Sequence, residues 1–157
     1  MLAHLNLSNI HIGSAGAQSL ASVLPQSLVL TDLRLTKNYI GPDGANSLAG
    51  VATQCRALTR LELDSNDMQS TGAESFAGVL AQCPILAHLD LSDNLIREAG
   101  AESFAGVLGQ CTVLTSLHLE INGIPDASKK TLQQSWCGRA DRLFFVGTLH
   151  CGVFVIC

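Results

Sequence analysis

The chain has 157 residues, 47% of them hydrophobic and 14% charged, with a net charge of −4 and a pI near 5.6. That length suffices for one globular domain, and no composition shift marks a second. A mildly acidic chain with 4% aromatics excludes nucleic acid as the main partner, because such proteins cluster Lys and Arg and stack bases on aromatic rings.

The N-terminal stretch MLAHLNLSN enters a strand pattern at once. It carries neither the basic segment nor the long apolar run of a signal peptide, so the expected localisation is cytoplasmic. From there a period of 28 residues organises the chain. Leu2, Leu30, Leu58, Leu86 and Leu114 open successive units, and two further columns follow at Leu5, Leu33, Leu61, Leu89, Leu117 and at Leu7, Leu35, Leu63, Leu91, Leu119. An asparagine column stands at Asn38, Asn66, Asn94 and Asn122, whereas the first unit has Ile10 there and Asn9 one place early. Alternation through L-x-L predicts a short strand with its leucines inward. The asparagine amide, which both donates and accepts, suits the strand exit, and stacked copies predict a ladder.

The second half of each unit predicts a helix. GAESFAGVLAQC at 72–83 returns as GAESFAGVLGQC at 100–111, and Ala73, Phe76, Ala77 and Leu80 form an i, i+3, i+4, i+7 apolar stripe. Gly16, Gly44, Gly72 and Gly100 recur in phase before the helix, for an otherwise costly φ or a close approach of neighbouring units. Cys55, Cys83 and Cys111 share one phase after it and read as small buried hydrophobes. Successive units stand about 10 Å apart on the helix side, too far for disulfides or metal ligation between them.

PDASKKTLQQSW predicts a fifth, more polar helix starting at Pro125 and Asp126, with Leu132 and Trp136 holding the phase of Phe104 and Leu108. The uncharged tail LFFVGTLHCGVFVIC, 143–157, is too short to span a bilayer. It reads as a terminal strand pair around Gly147 or Gly152 that caps the last unit, with Phe145 in the sixth strand phase; a membrane tail is the alternative.

These motifs, L-x-x-L-x-L-x-x-N joined to helices such as GPDGANSLAGV at 41–51, resemble leucine-rich repeats of the ribonuclease-inhibitor type, over residues 2–124. Similar units occur in NOD-like receptors and Ran GTPase-activating proteins. The resemblance implies an α/β right-handed solenoid, a horseshoe segment with a parallel β-sheet on the concave face and helices on the convex face. It divides the chain into a repeat domain, 1–142, and the tail. At least three units are needed because one alone cannot bury its apolar face.

On the predicted concave face, His4, Asn6, Asp32, Arg34, Arg60, Glu62, Asp64, His88, Asp90, His118 and Glu120 point outward, with Ser8, Thr36, Ser92 and Ser116 between them. Some of these charges can pair across strands, Arg34 with Glu62 for example. His88, Asp90, His118 and Glu120 offer zinc-type ligands, but a flat sheet face converges ligands poorly, so no metal is expected. No nucleophile elbow, phosphate loop or Cys–His arrangement is present, so no enzyme activity and no cofactor are expected. The expected function is a protein–protein interaction module whose concave face binds a protein, with charge setting specificity and on-rate. The family also offers a GTPase-activating or inhibitor-type regulator, or a fragment of an innate-immune-type receptor.

Overall fold

The computed structural model describes residues 2–136 and the backbone of 143–144. Each unit forms a three-residue strand and a helix of 11 to 14 residues: β1 His4–Asn6, α1 Gly13–Val23, β2 Asp32–Arg34, α2 Gly41–Gln54, β3 Arg60–Glu62, α3 Gln69–Leu80, β4 His88–Asp90, α4 Arg97–Leu108, β5 Ser116–His118 and α5 Asp126–Trp136, followed by the short β6 Leu143–Phe144. All six strands lie parallel in sequence order. Strands stack about 4.8 Å apart whereas packed helices need about 8–10 Å, so the helix row is the longer one and the sheet takes the inside of the curve.

One register runs through the sheet. Leu5, Leu33, Leu61, Leu89 and Leu117 pair in turn, and Leu33 through Leu117 are buried, as are Leu35, Leu63, Leu91 and Leu119. The stripe of α3 is buried as its spacing requires, and Phe76 and Phe104 are the largest fully buried side chains. Repeat one is the exception: Leu5, Leu7, Ile12 and Leu20 are only partly buried. Leu132 and Trp136 pack into the core as their phase predicts. Among the described residues no helix is long and apolar enough to cross a membrane.

The phased glycines act by contact alone. Gly44, Gly72 and Gly100 lie within helices, and a Cβ on Gly72 or Gly100 would stand 2.9 Å from the Cβ of Ala45 or Ala73 in the preceding repeat. The left-handed backbone lies just upstream, at Gly13, Gly41, Gln69 and Arg97, all with φ between 57° and 65°. Two more left-handed positions per unit precede these. Asn9 is one of them, sharing its phase with Lys37, Ser65, Asp93 and Ile121, so it is no displaced rung of the asparagine column.

The last strand departs from the period. β6 sets Leu143, not Phe145, opposite Leu117, two residues short of the 28-residue step. The remainder of the tail, with the turns expected at Gly147 and Gly152, lies outside the described residues.

Candidate functional site

The asparagine column builds the frame on which the sheet face is displayed. Asn66 is buried, donates Nδ2–H to the carbonyls of Leu35, Leu63 and Asp64 at 2.9–3.0 Å, and accepts the backbone N–H of Asn38 at 2.8 Å. Asn38, Asn94 and Asn122 repeat the pattern, each bonded to the repeat before it. The same residues start the helices. The four helices α1–α4 begin after Ile12, Ile40, Met68 and Ile96, none of which caps with its side chain. Instead Asn38, Asn94 and Asn122 Oδ1 accept the N–H of Ile12, Met68 and Ile96. The backbone carbonyls of Asn38, Asn66, Asn94 and Asn122 take the next N–H along, from Gly13, Gly41, Gln69 and Arg97. Each helix start is thus satisfied by the following repeat, which frees the cap position for an apolar anchor, fully buried at Ile40, Met68 and Ile96.

On this frame the outward strand residues fall into rows: His4, Asp32, Arg60, His88, Ser116 and then Asn6, Arg34, Glu62, Asp90, His118. Asp64 and Glu120 follow at the strand exits. Ser116, expected outward, is buried. His4 and Asn6 lie exposed on the edge strand β1, with Asn6 Oδ1 accepting the Ser8 N–H at 3.0 Å.

Four of the charges close a ring. Arg34 lies 3.0 Å from Asp32 and 3.6 Å from Glu62, and Arg60 lies 3.7 Å from Asp32 and 3.4 Å from Glu62. The Asp32 hydrogen bond and the Glu62 charge hold the Arg34 guanidinium more firmly protonated than usual. Such half-exposed pairs contribute about 0–1 kcal/mol each, so the ring orders the side chains more than it stabilises the fold.

A second cluster sits at the exits of β4 and β5. Ser92 Oγ donates to Asp90 or Glu120, each at 2.7 Å, and His118 Nδ1 lies 3.3 Å from Glu120 Oε1. The hydrogen bond to Glu120 raises the His118 pKa against the opposing effect of burial. For Glu120, burial pushes the pKa up, but hydrogen bonds from His118 and Ser92 outweigh it and hold the carboxyl below its ordinary value. Asp90, His118 and Glu120 can present one ligand atom each within 4.8 Å of one another, whereas His88 does not join them. Three groups on a strand face fall short of the four protein ligands of a closed zinc site.

Among the described residues Cys55, Cys83 and Cys111 are buried away from the sheet face, and burial pushes Cys83 up to about 11, far from a reactive thiolate.

The loops that leave the strands carry residues that strand periodicity does not single out. His11 and Tyr39 stack with ring centroids 5.3 Å apart, Leu95 and Ile121 stand exposed, and Asp93 Oδ2 accepts the Ser65 hydroxyl at 3.0 Å. The signal available in the sequence was Ile121, which breaks a phase that is polar at Asn9, Lys37, Ser65 and Asp93.

A family model described as Leucine Rich repeat matches residues 26–49, 54–77 and 82–105. No curated protein matches the chain. Among solved structures, leiomodin-1 actin-binding site 2 is similar with a TM-score of 0.75 and 18% identity, over 85% of this chain and 78% of that one. The C-terminal domain of tropomodulin from Caenorhabditis elegans is similar with a TM-score of 0.72 and 11% identity, over 85% and 81%. At these identities the likeness is one of fold.

Proposed function

Because this chain is a leucine-rich-repeat protein, we propose that it is an interaction module that docks a protein partner on the concave face of its sheet. The observation that carries this reading is the unbroken register of β1–β5, which lines up polar and charged side chains on one face while their neighbours are locked in the core. Buried leucines on one side and the asparagine ladder at one end leave the backbone little freedom, so a partner meets a face that is already ordered. Five strands span about 20 Å, compatible with an interface of about 800 Å² per partner.

No catalytic role is proposed for these residues. The similar leiomodin-1 structure is an actin-binding site, so actin is the first named partner to try. The test is retention of a partner on the immobilised chain, beside a variant with Arg34→Glu, Arg60→Glu and Asp90→Lys, and another with Glu98→Lys and Glu102→Lys on the convex helix α4. Loss with the first and retention with the second supports the reading. Equal retention by both sinks it.

A further inference from the structure

We propose that the exits of β3–β5 take a basic, amphipathic segment of the partner, with Asp64, Asp90, Asp93 and Glu120 supplying the charge and Leu95 and Ile121 the apolar anchors. This inference rests on the docking reading above and names the partner's chemistry.

Charge separates the face into two halves. Arg34 and Arg60 are tied into the ring with Asp32 and Glu62, which is neutral as a whole. The carboxylates at the exits lie against hydroxyls instead: Thr36 donates to Asp64 at 2.7 Å, Ser65 to Asp93 at 3.0 Å, and Ser92 to either Asp90 or Glu120, each at 2.7 Å. His118 lies beside Glu120, and among the described residues no lysine or arginine forms an ion pair with these four carboxylates. The negative charge of the exits is therefore left for an incoming cation.

The apolar component is an independent observation. Leu95 is 44% exposed and Ile121 68% exposed, and both hold left-handed backbone, φ 57° and 55°. A β-branched side chain is costly in that region, and the other repeats place Asn, Lys, Ser or Asp at the phase of Ile121. An exposed isoleucine in a strained position contributes nothing to the core, and strain of that kind points to a role outside folding. The two features are adjacent. The N–H of Asp93 donates to the carbonyl of Glu120 at 2.8 Å, which seats the acidic loop of one repeat directly beside Ile121 of the next.

Together they match a helix with Lys or Arg flanking an apolar stripe: the carboxylates steer and orient it, and the anchors provide the contact that excludes water. A purely cationic segment would gain only screened, exposed pairs.

The experiment is fluorescence anisotropy of the full chain with three synthetic peptides of about 18 residues, five helical turns: one of Lys and Leu in amphipathic order, one with Glu for Lys, and one with Ser for Leu. The Lys/Leu peptide should bind best. Its affinity should drop about tenfold or more with Asp90→Lys plus Asp93→Lys, which reverses two facing charges, and also with Leu95→Ser plus Ile121→Ser. Glu98→Lys plus Glu102→Lys, the same charge change on α4, should leave it unaltered. Equal binding of the Lys/Leu and Glu/Leu peptides, or equal sensitivity to the exit and α4 variants, overturns the inference. Arg34→Glu plus Arg60→Glu separates its failure from that of docking. If a retained partner responds to the arginine pair and not to the exits, docking stands and this inference falls. If it responds to neither, both fall.

Discussion

Replacing Asn66 by Ala tests the frame most directly. The side chain is 1% exposed and makes four hydrogen bonds across or within repeats. They are not equally costly to lose. Leu35 O keeps the Asn38 amide, Leu63 O keeps the Asn94 amide, and Asp64 O keeps the Lys37 N–H, so these carbonyls retain partners. The buried N–H of Asn38 has Asn66 Oδ1 as its acceptor and is stranded, at about 1–3 kcal/mol, and the emptied amide volume adds to it. The expected loss is about 2–4 kcal/mol, a large part of the 5–15 kcal/mol usual for a domain. Asn38→Ala should lose less, because the Ile10 and Ile12 N–H groups it serves are only part-buried and water can replace it. Urea unfolding followed by circular dichroism measures both, and with a slope of about 2 kcal/mol/M the Asn66 variant should shift the midpoint by about 1–2 M. A loss under about 1 kcal/mol for Asn66→Ala, or an equal loss for Asn38→Ala, would refute the cross-repeat account.

Two glycine substitutions should move stability in opposite directions. Gly78→Ala on α3 meets nothing within 4 Å and should gain about 1 kcal/mol, whereas Gly72→Ala on the same helix presses on Ala45 and Met68 and should lose stability in the same urea assay. Arg97→Gly should stabilise by up to about 1 kcal/mol, since φ is 57° there and Gly41 already fills that phase two repeats earlier; a loss of stability would argue against strain at these positions. The His118 resonance should titrate above 6.5, and Glu120→Gln should bring it down. Because the folded pKa is raised, the pair's contribution should be full below 6.5 and fade as pH climbs through the folded value. Glu120, lowered by the fold, contributes above its ordinary pKa and loses that contribution as pH falls through its folded one. A pH profile of unfolding unchanged by His118→Gln would contradict this.

The leucine columns, the helix stripe of Ala73, Phe76, Ala77 and Leu80, and the polar rows of the strand face were all legible in the sequence. Each rests on periodicity within one unit, where side-chain direction follows from backbone geometry, and five copies repeat the message. What the tertiary structure decided lies between units. The caps of α1–α4 come from the next repeat's asparagine, so no Ser, Thr or Asp marked those helix starts. The arginines close a ring with both acids and leave the strand exits negative, a partition that depends on side-chain reach across two strands. Ser116 is buried although its strand phase points outward, and β6 pairs two residues out of period. Local sequence specifies what each repeat is; which partner a polar group finds depends on a neighbour some 26 to 31 residues away, and only stacking brings that neighbour within hydrogen-bonding distance.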